Sequence, residues 1–466
     1  MRAPIKSTIF LWRNKAKQGT RTKRYLQAYL RRKNQRITRL EEQNAALQKQ
    51  LQPTRIYGHT YPAEMICLAV FMVIAGCSYR ASARTLGFYA KLMGWNFKAP
   101  SHTNVRNWVL RCGYGSMQQT AQRSSGDFVA IVDESIQIGK EKLLLILGYP
   151  LLKDQCRTQA LKHADVQVLG MSMRSSWAGE KIAEFVQDRL TKLNSVNLVR
   201  VISDQGSNLL NAWSRLGLQH VSDCTHMMMN QVKELFGSDS ELDELCRQIG
   251  KLRQRWAMTD YACFLPPTMR DKDRFCRIFH LLDWLDRIDA YWNQLSATEK
   301  QHLAFTRSVA WLRRRCSQVR QLVELTAQVL KKRGLSQTSH QYWQQQISKY
   351  LDKQPVVTQQ ARSFIKGVEA YFQSHAHIYA DQDQVLCCSD VIESIFGRYK
   401  NKGGMKVMSA DILSIALYRQ EITVDFVRQM LENVSEQKVR QWEIENVYEN
   451  RYGVIRRLNR ELKSVA

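Results

Sequence analysis

The stretch Gly126-Asp-Phe-Val-Ala-Ile-Val-Asp133-Glu-Ser135 decides the fold of this chain. Residues 128–133 run apolar and β-prone until they meet a carboxylate. So short a run, opened by a glycine, predicts a strand buried on both faces. A carboxylate in such a strand is costly to bury unless it is paired or binds a metal ion. Asp133 is therefore either a structural acid hydrogen-bonded to backbone or the first ligand of a cation site.

A second carboxylate follows a later strand. Asp204 begins Asp-Gln-Gly-Ser-Asn directly after an apolar run that we expect to lie beside the strand of Asp133. Such a residue often only forms a turn or caps a helix. Three consecutive strands followed by alternating units indicate a mixed sheet with helices on its faces. The predicted strands are 128–133, 142–149, 166–173, 196–203 and 219–222, and the predicted helices are 180–193, 209–216 and 225–236.

A third carboxylate lies on a later helix. Residues 237–383 lose strand character and predict helices over 242–258, 274–295, 296–330 and 339–351. Ser389 or Asp390 would cap the helix that follows, with Glu393 in its first turn as a metal ligand or only as part of a capping arrangement. Lys400 lies two turns further along the same face. Acids on neighbouring strand ends suit divalent cations, and two such ions can clamp a phosphodiester.

The charge balance indicates a polyanionic partner. The 466 residues include 69 Lys+Arg against 42 Asp+Glu, a net charge of +27, which favours a nucleic acid. Residues 1–40 contain no acid and form a basic arm that is either a phosphate-contacting segment or a solvated tail. Leu40, Leu47 and Leu51 predict a short helix that ends before Pro53.

Residues 61–125 predict a helical DNA-binding region. The third of its helices has Ser101 as a possible cap and carries polar and basic residues, including Arg106, at its start. An apolar stripe faces the other way, which is the layout of a helix-turn-helix recognition helix. The alternative is an ordinary three-helix packing unit.

The cysteine pattern and the hydropathy indicate in which cellular compartment the protein is expected. Eleven cysteines without C-x-x-C pairs indicate a reducing environment and argue against a zinc finger. The apolar run 66–77 is too short to span a bilayer, and no signal-peptide pattern is present. We therefore expect a cytoplasmic, nucleoid-associated protein with no membrane partner.

The order of these features resembles the ribonuclease-H-like catalytic domain of DDE transposases, over residues 126–236 and 384–425. That family carries its first Asp on the central first strand, its second just after the fourth strand, and its Glu on a later helix. The resemblance implies Asp133, Asp204 and Glu393 as a triad that binds Mg²⁺ or Mn²⁺, with a helical insertion before the Glu. Asp223-Cys-Thr-His226 matches a supporting motif of the family, although Asp223 and His226 could be only a cap and a core histidine.

The resemblance also implies an activity and partners. It implies a transposase that cleaves double-stranded DNA at transposon ends and joins them to target DNA, as a homodimer or larger assembly. Lys400, Arg398 and Lys402, beside the acid site, are either DNA contacts or solvated charges. The Glu393–Lys400 spacing resembles half of the signature of hairpin-forming transposases, but its Tyr and Arg would fall at Leu386 and Ser389.

The predicted fold class is α/β: a ribonuclease-H-like mixed sheet interrupted by an all-helical insertion, with an N-terminal helix-turn-helix-like region. Two other functions remain open, a resolvase-type nuclease of the same fold and a domesticated DNA-binding protein with an inactive nuclease fold. The predicted domains are a basic arm and short helix (1–60), a DNA-binding domain (61–125), a first catalytic part (126–236), the helical insertion (237–383), a second catalytic part (384–425) and a basic helical tail (426–466).

Overall fold

A computed structural model describes residues 20–50, 54–94, 98–138, 141–151, 161–193, 195–269, 274–379, 384–403, 409–447, 454–455 and 458. The chain divides into two compact units, Met1–Met65 and Ile66–Ala466. Within the described ranges, no helix combines the length and the apolar character needed to cross a membrane.

The first unit contains a long helix, α1 (Thr20–Gln50). The prediction of a short helix near Leu40 was wrong in extent. Most of its residues are charged or polar, so the narrow apolar stripe along one side does not stand out in its composition. The start of the predicted basic arm, residues 1–19, and Leu51 lie outside the described residues.

The three helices predicted between 61 and 125 are α2 (Ala63–Ile74), most of which belongs to the second unit, α3 (Tyr79–Leu92) and α4 (His102–Arg123). Ser101 caps α4 by accepting a hydrogen bond from Asn104 N at 3.1 Å. The middle of α4 is packed, since Ser116 donates to the carbonyl of Ala416 at 3.0 Å. A Cβ at Gly113 would collide with the carbonyl of Leu413. These helices thus belong to the same compact unit as the sheet rather than to a separate one.

The prediction of a mixed α/β sheet is confirmed. Five strands, in the order β3-β2-β1-β4-β5, are antiparallel over β1–β2–β3 and parallel over β1–β4–β5. The first strand is central. The strands and their helices are β1 (Gly126–Ile138), β2 (Glu141–Pro150), β3 (Gln167–Arg174), α5 (Gly179–Leu193), β4 (Val196–Ser203), α6 (Ser207–Leu216), β5 (Gln219–Ser222) and α7 (Cys224–Phe236).

The sheet is covered on both faces, as its apolar strands require. Phe128 and Val132 of β1 pack with Ile182 of α5 and Trp213 of α6 in one buried cluster. The alternate residues of β1 are buried too, and α4 packs against β3 from a separate part of the chain.

Helices fill most of the described part of 237–383. The predicted helix 296–330 is in fact broken, because a 3-10 turn over Ala304–Arg307 separates α10 from α11. Ser296 and Glu299 form the capping box that starts α10. The helices are α8 (Ser240–Trp256), α9 (Arg274–Tyr291), α10 (Ala297–Leu303), α11 (Ala310–Arg333), α12 (Gln337–Leu351), α13 (Gln359–Ser374) and α14 (Ala376–Tyr379), of which α13 was not predicted.

After this stretch the chain returns to the sheet. Helix α15 (Asp390–Lys400) packs against β1. A 3-10 helix, Ala410–Leu417, replaces the α-helix predicted there and packs against α4. Helices α16 (Val424–Asn433) and α17 (Glu436–Asn446) follow this 3-10 helix.

Candidate active site

The sheet register sets Asp133 and Asp204 side by side. Parallel pairing of β1 with β4 runs to Ile131 opposite Ile202, and each acid lies two residues further along the chain, Asp133 within β1 and Asp204 just after β4. The prediction that Asp133 ends its strand was wrong, because β1 continues to Ile138. A bulge after Asp133 bends the strand at that point, and bulges of this kind re-aim side chains next to active sites. Asp133 itself is 8% exposed.

Asp204 turns the chain from β4 into α6. Its Oδ1 accepts a hydrogen bond from Gly206 N at 3.0 Å, which is the side-chain bond of an Asx turn. The turn-forming role that the sequence left open is therefore present. It occupies one carboxylate oxygen, and the other has no hydrogen bond to any described residue.

A third acid near Asp133 had not been singled out from the sequence. Glu134 accepts a hydrogen bond from Asn208 Nδ2 at 2.7 Å, and Lys142 Nζ lies 3.5 Å from the same oxygen. Asn208 also donates to the carbonyl of Trp177 at 3.2 Å. These bonds tie β1 to the start of α6, next to Asp204. The sequence signal that could have identified Glu134 is its position directly after Asp133.

Glu393 lies in the first turn of α15, as predicted, with 48% of its side chain exposed. Its Oε1 is 3.7 Å from Nε2 of His226. Burial raises the pKa of Glu393, and the positive charge of His226 opposes that rise. Since α15 packs against β1, the helix brings its acid to the sheet that carries Asp133.

Asp223 connects α7 to α15. Its fully buried carboxylate accepts hydrogen bonds from His226 N at 2.7 Å and from Ser389 N at 2.6 Å, and it lies 3.2 Å from His226 Nδ1. Burial opposes its ionisation, but the bonds from His226 and Ser389 outweigh burial and lower the pKa of Asp223. Asp223 is thus the N-cap of α7, which is one of the two alternatives predicted for it. It also fixes Ser389, the residue that precedes α15, through the hydrogen bond from Ser389 N.

His226 is a cation between acids. The hydrogen bond to Asp223 is the main cause that raises its pKa to about 9, against burial, and the charges of Glu393 and Asp204 raise it further. The ring is therefore protonated at neutral pH. Asp223 and Asp204, which follow strands, and Glu393, which lies on α15, all raise the pKa of His226. His226 therefore links the acids at the strand ends to the acid on the helix.

The start of α15 is not capped as predicted. Ser389 occupies the cap position, but its side chain makes no capping hydrogen bond. Instead Asp390 is held by Lys331 of α11 at 2.5 Å and by the hydroxyl of Thr225 at 3.0 Å. Although burial opposes it, the hydrogen bond to Asp390 raises the pKa of Lys331. Lys331 precedes Asp390 by 59 residues, so no local pattern could have revealed the pair.

Three carboxylates could supply oxygen ligands to a divalent cation. Carboxylate oxygens are the ligands that Mg²⁺ and Mn²⁺ prefer, and Asp133 and Asp204 at one sheet edge with Glu393 on an adjacent helix offer them. Among the described side chains, no group of three or more acids, histidines or cysteines stands at metal-binding distance.

Two of the cations that were expected to contact DNA instead make contacts within the protein. Arg398 donates to the carbonyl of Ile74 at 3.0 Å and stacks on Tyr418. Lys402 is 5% exposed and donates to the hydroxyl of Tyr79 at 3.2 Å. The arrangement of these two side chains favours a packing role over either alternative stated for them.

Arg106, on α4, is also paired within the protein. Its guanidinium lies 3.5 Å from Asp411 and 3.5 Å from Glu443, and a third of the side chain remains exposed. Two acids neutralise the charge that a recognition helix would present to phosphates. Lys400, by contrast, is exposed, and its ammonium makes no ion pair with any described residue.

A groove of about 560 Å³ borders α15 beside Glu393. Its cations are Lys162, which is exposed, and Arg419, which is half-buried. Burial lowers the pKa of Arg419, and no described acid offsets that loss of hydration. His163 lies 3.0 Å from the Ser394 hydroxyl, and burial and the charge of Arg398 lower its pKa, so the ring is neutral. Asp390 lines the same groove but is paired with Lys331, so the groove carries both signs of charge, with Lys162 and Arg419 as its cations.

Comparison of the chain with protein-family models and with curated proteins finds no match in either set.

The protonated state of His226 predicts a pH-dependent stability. A raised pKa contributes stability that is complete below pH 6.5 and lost as the pH rises through about 9. The side chain is 38% exposed and therefore partly screened by solvent, so we expect a loss of about 1–2 kcal/mol. Urea titrations with a chelator present should show this decline in the wild type and not in His226→Gln. An equal pH dependence in both proteins would contradict a protonated His226.

Proposed function

We propose that this protein is a DNA transposase of the DDE type, with Asp133, Asp204 and Glu393 as its catalytic acids. The observation that carries the proposal is the register of β1 and β4, which sets two carboxylates side by side at one sheet edge. Glu393 adds a third from α15, linked to the same edge through His226. Two acids at one sheet edge with a third on a helix that packs against the sheet suit phosphodiester chemistry better than binding alone.

The arrangement of the sheet supports the same family. The first Asp lies on the central first strand, the second directly follows the fourth strand, and the Glu lies on a later helix beyond a helical stretch. Each of these is a position implied by the resemblance to ribonuclease-H-like transposases. The residues 237–383 would then be the insertion.

The three acids would hold divalent cations, Mg²⁺ or Mn²⁺. Bound there, such cations neutralise charge on a phosphodiester and activate water or a 3′-hydroxyl as nucleophile. The chain supplies the placement: the bulge aims Asp133, the Asx turn orients Asp204, and Asp223 with Lys331 fixes the start of α15. One site would serve both end cleavage and joining, without a covalent protein intermediate.

The experiment that tests the function uses DNA that bears the terminal repeats flanking the coding region. Wild-type protein with Mg²⁺ should nick at the repeat ends and join those ends to a second DNA. Cutting that depends on branched structure and not on end sequence would favour a resolvase-type nuclease. Binding without cutting would favour a domesticated DNA-binding protein. Either result would overturn the proposal.

Lys400 is expected to position DNA near the scissile bond. It is exposed and lies two turns from Glu393 on α15, and a lysine binds phosphate as a point charge. Lys400→Ala should cleave about tenfold more slowly, with recovery at low salt, and Lys400→Arg should be partly active. The control is Lys349→Ala, an exposed lysine on α12. Normal cleavage by Lys400→Ala at moderate salt would remove Lys400 from the DNA path.

Arg419 is expected to bind a second phosphate of the same strand. An arginine can bind a phosphate with two parallel hydrogen bonds, and Arg419 lines the groove together with Asp390, Val391 and Ser394 of α15. Arg419→Gln should reduce the slope of log affinity against log salt by about one. Arg440→Gln, which removes an exposed arginine on α17, is the control. If both variants kept the wild-type slope, the groove would not be part of the DNA path.

A further inference from the structure

Helix α1 carries a heptad pattern over most of its described length. From residue 26 onward, positions at alternating steps of four and three are apolar in five of seven cases, which is the spacing of the a and d positions that form a coiled-coil seam. Three heptads fit within the helix. The d positions are Leu26, Lys33, Leu40 and Leu47, and the a positions are Leu30, Ile37 and Asn44.

The middle of the described seam is exposed. Leu30 and Ile37 are each 51% exposed and Leu40 is 55% exposed. A helix this polar gains little stability from its own backbone, and most helical stability in proteins comes from packing an apolar face. The exposed stripe therefore requires another surface, and its heptad spacing requires a helix.

We propose that α1 pairs with α1 of a second copy of this chain as a parallel, in-register, two-stranded coiled coil. Ile37 at a with Leu40 and Leu47 at d is the combination that favours two strands. Asn44 at a has the same consequence, because one asparagine in the seam fixes the register and number of strands at some cost in stability. In a parallel pair the two Asn44 side chains would face each other.

The flanking charges fit the parallel orientation. Arg36 occupies a g position and Glu41 the e position of the next heptad, which are neighbours across a parallel two-stranded coil. Both are exposed, and neither forms an ion pair with a described residue. Lys33 is the unfavourable seam residue, but its Nζ lies 5.6 Å from the ring of Tyr29, at a flanking position. Its aliphatic stem can then cover the seam while the charge points outward.

The first test is the mass of the full chain in solution. Sedimentation equilibrium at low micromolar concentration should give a dimer, twice the 54.3 kDa chain. Ile37→Lys combined with Leu40→Lys should give a monomer. The matched control, Gln35→Lys combined with Thr38→Lys, adds the same charge to the outer face of α1 and should remain a dimer. A monomeric wild type, or a dimer that survives the seam substitutions, would overturn the proposal.

The second test concerns orientation. A cysteine in place of Asn44 should form an intermolecular disulfide under mild oxidation, because equivalent a positions meet in a parallel pair. No native cysteine lies between residues 20 and 50, but Cys263 is exposed, so the test uses a Cys263→Ser background, in which the parent protein and Thr38→Cys, on the outer face, should give no disulfide through α1. A seam-dependent dimer that fails to cross-link in Asn44→Cys would exclude the parallel register. Neither readout depends on the reaction proposed for the second unit.

Discussion

Asp133→Asn, Asp204→Asn and Glu393→Gln are each expected to abolish end cleavage and joining. The loss should be about a thousandfold or more, which corresponds to about 4 kcal/mol of barrier, because each substitution removes a carboxylate charge where a phosphodiester reacts. DNA affinity should stay within about twofold of the wild type, since affinity for DNA arises mainly from phosphate-contacting cations. Cleavage on end-labelled DNA and gel-shift binding measure the two properties.

Glu134→Gln is the matched control for this series. Glu134 is the neighbour of Asp133, but its carboxylate is bound by Asn208 and Lys142. Its loss should reduce cleavage far less than the loss of Asp133. Near-normal cleavage by any of the three variants would remove that residue from the catalytic set. If Glu134→Gln were as inactive as Asp133→Asn, the loss would reflect the local structure of β1 and not a specific ligand.

Asp223→Ala is expected to have the second-largest effect. The buried carboxylate of Asp223 accepts bonds from His226 N and Ser389 N, and its removal leaves Ser389 N buried and His226 N part-buried without this acceptor. We expect a loss of about 3 kcal/mol in the free energy of unfolding and a 10–100-fold fall in cleavage, because α15 would no longer be fixed. The pKa of His226 should also fall, since Asp223 is the main cause of its rise.

The control for Asp223 is Thr423→Ala. Thr423 caps α16 by accepting from Phe426 N at 3.1 Å, so its loss costs about 1 kcal/mol without touching α15. Cleavage should then be unchanged. Asp223→Asn keeps an acceptor but loses the charge, and should be intermediate in both stability and rate. If Asp223→Ala lost stability but kept both the wild-type rate and the pKa of His226, Asp223 would be only a helix cap.

The strands were predictable because their apolar runs stop at turn residues. The pattern gave 196–203 and 219–222 with the same ends that β4 and β5 have in the structure. It ended the first strand at Asp133 because a carboxylate usually ends such a run. A bulge, which lets the strand continue, depends on pairing with β2 and leaves no sign in the local sequence.

The cations near α15 were the least predictable part of the site. Arg398 and Lys402 read as surface charges, but the carbonyl of Ile74 and the hydroxyl of Tyr79 hold them from more than 300 residues away in the sequence. Conversely, nothing in the sequence around Arg419 set it apart from other arginines. Whether a charge is free or paired is a property of tertiary contacts, which hydropathy and spacing do not contain.

Iron-directed cleavage of the chain would decide whether the three acids share one cation site. Fe²⁺ replaces Mg²⁺ at oxygen-ligand sites, and with ascorbate and peroxide it generates radicals that cut nearby backbone. We predict cuts near residues 133, 204 and 393 of the wild type, three segments far apart in the chain. All three should disappear together in Asp204→Asn and be suppressed by excess Mg²⁺. Cuts at only one of these segments, or cuts at 133 and 393 that persist in Asp204→Asn, would contradict a shared site.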